Sequence, residues 1–122
     1  MSLLSNQAIE FRRAYGIPNT LSGRTRQRNL IVEEFKEFLD ADQNMVLMHP
    51  QDREACLKEL ADLIYVCAQY AENMDWDIEQ ALRRVHQSNM SKLGEDGKPI
   101  KREDGKVLKG PNYQPPDLSD LV

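Results

Sequence analysis

Apolar residues recur at helical spacing through the first 93 positions of the chain, and the pattern then stops. Ala8, Phe11 and Tyr15 predict a helix over about residues 3–15, ended by Gly16 and Pro18. A second helix is expected over about residues 25–42, where Ile31, Phe35, Phe38 and Leu39 fall at i, i+4, i+7 and i+8. After a loop containing His49-Pro50, Leu57, Leu60, Ile64 and Cys67 form the apolar stripe of a long third helix over about residues 52–73. Leu63, Val66 and Tyr70 widen that stripe, and Met74-Asp75 breaks it. A fourth helix, about residues 77–90, carries Ile78, Ala81, Leu82, Val85 and Asn89 on one side, with Asp75 as the expected N-cap. Beyond Leu93 the glycines at 94, 97, 105 and 110 punctuate a charged stretch. Pro99-Ile100-Lys101 and Lys106-Val107-Leu108 flank Asp104-Gly105 as a short hairpin, and Pro115-Pro116 marks an extended tail. The expectation is an all-α domain over residues 1–93, with residues 94–122 packing on it or on a neighbouring subunit.

Against this apolar pattern, two carboxylate pairs stand out: Glu34 with Glu37, and Glu59 with Asp62, each at i, i+3. Residues three apart share a helix face, so each pair can chelate one cation. Such pairs are more often a solvated face. Here Leu30, Glu34 and Glu37 border the second helix's apolar stripe, and Glu59 and Asp62 are flanked by apolar positions of the third. Carboxylates set against apolar surface are costly unless paired or bound to a cation. Two helices with the same anomaly suggest one shared, all-oxygen site, which selects Mg²⁺ or Mn²⁺. Two or three such ions on four carboxylates would neutralise triphosphate oxygens and acidify an attacking water.

Charge reinforces that reading. The net charge of −4 conceals a strong segregation, with five Arg against one Glu over residues 1–30 and thirteen acidic against three basic residues over 31–80. The acidic centre and the lack of an aromatic stacking platform argue against nucleic-acid binding. No apolar run reaches membrane-spanning length and no signal-peptide pattern is present. Cys56 and Cys67 lie eleven residues apart on one expected helix, too far for a disulfide, and read as core thiols of a reduced, cytoplasmic protein. At 122 residues the domain is small enough that a second subunit is expected to complete its core.

Glu33-Glu34-x-x-Glu37 followed by Glu59-x-x-Asp62 resembles the signature of the all-α nucleoside triphosphate pyrophosphohydrolases, the MazG-like enzymes related to phosphoribosyl-ATP pyrophosphohydrolase. Residues 85–93, containing Asn89 and Lys92, are similar to the fourth helix of that family, where an Asn and a Lys meet phosphate. The resemblance implies a four-helix bundle completed by oligomerisation, as a dimer or a dimer of dimers. It also implies water attack on the α-phosphate of a nucleoside triphosphate, giving a monophosphate and pyrophosphate, with Mg²⁺ or Mn²⁺ as cofactor. Glu34, Glu37, Glu59 and Asp62 take the family's metal-ligand positions. Glu33 and Glu37 are the candidates to position the water or take its proton. Asn89, Lys92 and Lys109 are the candidates for phosphate, and Phe11, Tyr15 or Trp76 for stacking on a base. The compact form and tail are similar to phage-borne members that act on dGTP, which points to a guanine nucleotide. Other deoxynucleotides such as dUTP or dCTP, and phosphoribosyl-ATP, stay open as substrates.

Two rivals are weighed by simple features. A ferritin-like di-metal protein needs Glu-x-x-His pairs, but Val46 precedes His49 and Arg83 precedes His86 by three. A non-catalytic helical dimerisation module would keep its stability unchanged on addition of Mg²⁺, whereas a true site gains stability from it.

Overall fold

The computed structural model describes residues 2–122, and its regular structure is almost entirely helical. Four α-helices appear among these residues: α1 Leu3–Ala14, α2 Arg24–Gln43, α3 Pro50–Asn73 and α4 Ile78–Met90. They are followed by a minimal hairpin, β1 Ile100–Lys101 and β2 Val107–Leu108, and a 3₁₀ turn at Ser119–Leu121. The chain divides into two compact units, one ending at Ile78 and the other Glu79–Val122.

In the first unit α1 and α2 each pack on α3, α2 the more extensively. Local chemistry sets the helix ends. Gly16 adopts φ +64° just past α1, and the Ile17 N–H returns to the Arg12 carbonyl at 2.9 Å, closing the helix in a Schellman turn. Pro50 opens α3 at its first position, where the missing N–H costs nothing. The end of α3 repeats the Schellman turn with a non-glycine residue: Asp75 sits at φ +59°, and the Trp76 N–H bonds the Ala71 carbonyl at 2.9 Å. Asp75 therefore terminates α3 and is not the N-cap of α4, which begins three residues later at Ile78.

The buried apolar residues are Ala8, Ala68 and Ala71, and no large side chain is fully enclosed among the described residues. This departs from the expected core. Leu57, Leu60 and Ile64, three of the four residues of the expected α3 stripe, are exposed, as are Phe35 and Val32 on α2. What α3 turns inward is instead the row Glu59, Asp62, Val66, Gln69 and Asn73, at i, i+3, i+7, i+10 and i+14, all half-buried or buried. The matching positions on α2 are Gln27, Leu30 and Glu34. The sequence offers α3 two competing faces at nearly the same period. The polar one is inside, with most of its cost met by hydrogen bonds at the Gln69–Asn73 end and left open at Glu59.

In the second unit the tail is strapped along α4. The buried Ser88 hydroxyl donates to the Gln114 carbonyl at 2.7 Å, and the Gln114 N–H donates to Ser91 Oγ at 3.0 Å. Arg84 donates to the Asp117 carbonyl and to the Asp120 carboxylate, both at 3.0 Å. The hairpin pairs Ile100 with Leu108 and Lys101 with Val107 in antiparallel register, the pairing expected around Asp104-Gly105.

Candidate active site

Glu34 of α2 and Glu59 and Asp62 of α3 form one cluster, each offering a carboxylate oxygen within 4.8 Å of the others. Helix geometry alone brings this about: Glu59 and Asp62 lie one turn apart on the inward row of α3, and Glu34 faces them from α2. Glu34 Oε2 and Glu59 Oε2 are buried without a hydrogen-bond partner. Burial pushes the Glu34 carboxyl up to about 7, helped by the hydrogen bond that the protonated Glu34 donates to Glu37 and by the charges of Glu37, Asp62 and Glu59. The cluster thus retains a proton near neutrality because it holds more negative charge than its surroundings can solvate.

These residues fit a divalent cation. The donors are hard oxygens. They lie within 4.8 Å of one another, and two of the oxygens have no other partner. One cation of the chain is already drawn to the cluster: Lys58 Nζ lies 2.7 Å from Asp62 Oδ2 and 3.5 Å from Glu59 Oε1. Its hydrogen bond to Asp62, and then the charges of Asp62 and Glu59, raise the Lys58 pKa.

The other sequence-identified residues fall in several places. Glu37 is exposed and reaches the cluster through Glu34. Glu33 is exposed and lines a shallow groove with Glu37, Lys36 and Asp40. Phe11 contacts Tyr15 at 4.7 Å and Tyr65 edge-on at 5.7 Å between ring centroids, whereas Trp76 packs on Tyr70 at 5.9 Å. Asn89, Lys92 and Lys109 belong to the second unit. There Asn89 is exposed at the end of α4, and the Lys92 carbonyl accepts the Gly110 N–H at 2.8 Å. The Lys109 ammonium lies 4.8 Å from the centre of the Tyr113 ring.

Sequence reasoning missed a second polar centre on α3. Arg12 is only 3 % exposed, yet it makes no ion pair among the described residues. Its guanidinium donates to Asn19 Oδ1 at 2.7 Å, the Pro18 carbonyl at 2.9 Å, Asn73 Oδ1 at 2.9 Å and Gln69 Oε1 at 3.3 Å. Burial lowers its pKa, opposed by the charge of Glu72. Asn73 extends the network by donating to the Thr20 carbonyl at 2.8 Å and accepting the Thr20 N–H at 3.2 Å. A Cβ at Gly23 would come within 2.9 Å of Asn73 Oδ1, so the close approach of the loop before α2 requires glycine. A signal existed for the glutamines alone, not for Arg12: Gln69 lies seven residues beyond Asp62, and Gln27 seven before Glu34, on the same two faces.

No helix among the described residues is long and apolar enough to cross a membrane. No curated protein matches the sequence. A family model, described as phosphoribosyl-ATP pyrophosphohydrolase, does, and its match spans all of α2 and α3. On that match, over residues 7–89, the chain belongs to the phosphoribosyl-ATP pyrophosphohydrolase family, within the MazG-like all-α pyrophosphohydrolase superfamily of divalent-metal-dependent hydrolases.

Proposed function

We propose that the protein hydrolyses a nucleoside triphosphate to its monophosphate and pyrophosphate, and so controls a nucleotide pool. The observation that carries this is the under-neutralised carboxylate cluster of Glu34, Glu59 and Asp62, with two buried oxygens lacking partners, in a member of a pyrophosphohydrolase family. Glu34, Glu37, Glu59 and Asp62 hold Mg²⁺ or Mn²⁺, two or three ions per site. The bound cations supply charge neutralisation of the phosphates and a lowered pKa for water. Water attacks the α-phosphorus in line, the bond from that phosphorus to the α,β-bridging oxygen breaks, and pyrophosphate leaves. Glu33 or Glu37 takes the water's proton. Asn89, Lys92 and Lys109 are the candidate phosphate-binding residues.

The exposed Phe35, Leu57, Leu60 and Ile64, apolar residues on helices that also bear the site, support assembly into a dimer or tetramer. The free thiols of Cys56 and Cys67 suit the cytoplasm. A guanine nucleotide is the expected substrate. Phosphoribosyl-ATP is a second reading, favoured by the description of the matched family; it uses the same cleavage between the α- and β-phosphates. Incubation with Mg²⁺ or Mn²⁺ and each common NTP, dNTP and phosphoribosyl-ATP, with separation of products, tests both. Monophosphate plus pyrophosphate from one nucleotide names the substrate. Orthophosphate alone, or no product from any of them, removes the pyrophosphohydrolase reading.

A further inference from the structure

A cavity of about 580 Å³ opens among α1, α2 and α3, and two buried glutamines line it. Gln27 is 5 % exposed and Gln69 is 4 % exposed. Gln27 Oε1 and Gln69 Nε2 are buried and pair with nothing. An unpaired amide atom in a protein interior is costly, and two beside one cavity need an explanation. The Gln69 amide is held in one orientation. Arg12 has donors only, so the atom facing it must be Oε1, which leaves Nε2 free. A ligand that accepts a hydrogen bond from Gln69 and donates one to Gln27 would satisfy both.

The rest of the lining says what shape that ligand has. Phe11, Tyr15 and Tyr65 supply aromatic surface and Leu30 and Val66 apolar surface, a setting for a flat ring with polar edges. Its place relative to the carboxylates follows from helix geometry. Gln27 and Glu34 are seven residues apart on α2, as are Asp62 and Gln69 on α3, a rise of about 10 Å on each helix. That rise is comparable with the span of a nucleotide from its α-phosphate to the far edge of its base.

We infer that this cavity takes the nucleobase of the substrate, stacked against Phe11, Tyr15 and Tyr65, and that Gln27 and Gln69 read the base's hydrogen-bonding edge. Arg12 acts as a positioning residue, fixing which face of the Gln69 amide the base meets. The inference rests on the reading of the carboxylate cluster as the phosphate end of the same site.

Calorimetric titration in Mg²⁺ tests it, using the α,β-imido triphosphates of adenosine, guanosine, cytidine and uridine in ribo and deoxy forms, with inorganic triphosphate as the base-free reference. At least one nucleotide should bind about tenfold or more tightly than inorganic triphosphate, and Gln69→Leu and Gln27→Leu should each remove about tenfold of that advantage. Gln27→Leu deletes an oxygen that pairs with nothing in the chain, so it keeps the test usable if Gln69→Leu fails to fold. If inorganic triphosphate binds as well as every nucleotide, or the advantage survives Gln27→Leu, the base pocket is refuted while the phosphate reading stands. If inorganic triphosphate itself does not bind, the phosphate reading fails and takes this inference with it.

Discussion

The inward row of α3 has two halves that look alike in sequence and differ in physics. Glu59 and Asp62 at one end, and Gln69 and Asn73 at the other, are polar residues turned inside a small helical unit. At the Gln69–Asn73 end Arg12 finds four acceptors, and Asn73 uses both its oxygen and its nitrogen. At the Glu59–Asp62 end two carboxylate oxygens have no partner, and Glu34 retains a proton up to about pH 7. Burial of polar groups is common to both, so burial marks neither as functional. Polar atoms left without a partner do: Glu34 Oε2 and Glu59 Oε2 at the carboxylate end, and at the other end Gln69 Nε2, beside a network that is otherwise satisfied.

Removing one group from each half should separate the two roles. Asp62→Asn keeps shape and hydrogen-bonding capacity but removes a hard anionic ligand, and should abolish turnover while the helical circular dichroism stays as in the parent. Near-normal pyrophosphate release would take Asp62 out of the metal shell. Arg12→Met does the opposite. It strands the acceptors of Gln69, Asn73, Asn19 and Pro18, and should cost on the order of 3 kcal/mol in urea unfolding of the metal-free protein. A loss within experimental error would mean that solvent or loop movement satisfies those acceptors.

Why one centre was legible and the other was not follows from distance along the chain. The carboxylates announce themselves through local spacing, Glu34 with Glu37 and Glu59 with Asp62, and the helix ends through Gly16 and Met74-Asp75, whereas Pro50, expected in the loop, opens α3. Arg12 meets Gln69 and Asn73 across 57 and 61 residues, and no local pattern encodes such a contact. The apolar stripe of α3 misled for a different reason. Leu57, Leu60 and Ile64 have helical spacing as good as that of the polar row, and periodicity says that a face exists without saying which face turns inward. Asp75 misled because acidic residues before a helix usually cap it, whereas this one occupies the left-handed position that ends the preceding helix.

The carboxylate end should also carry a stability cost that the amide end does not. A carboxyl whose pKa is raised on folding contributes stability that is complete below its unfolded value, near 4.5, and is lost as pH rises through about 7. The metal-free protein should therefore melt at progressively lower temperature from pH 5.5 to 8, and Mg²⁺ should restore the loss at the alkaline end. Asp104, Asp117 and Asp120, whose pKa values are lowered by hydrogen bonds, act below this window and leave the slope intact. Glu34→Gln should remove most of the slope and, without metal at pH 8, stabilise by about 1 kcal/mol, while abolishing the response to Mg²⁺. A flat parent profile would show that the cluster shares its charge with groups other than Glu34.

The smallest expected effect belongs to Lys58. Its ammonium bridges Asp62 and Glu59 in the place where positive charge is wanted, but it is exposed, so solvent and salt weaken the attraction. Its ammonium competes with an incoming cation for the same oxygens and repels that cation if it stays nearby. Both effects have one sign, so Lys58→Met should tighten Mn²⁺ binding a few-fold in calorimetry, and the gain should shrink as ionic strength rises. Weaker binding in the variant would reverse the reading, because it would mean that Lys58 holds Asp62 and Glu59 in the geometry the metal needs. The two outcomes also bear on the contrast within α3. Competition leaves the carboxylate end incomplete without an external cation, whereas support would give it a fixed internal partner, as Arg12 is for Gln69 and Asn73.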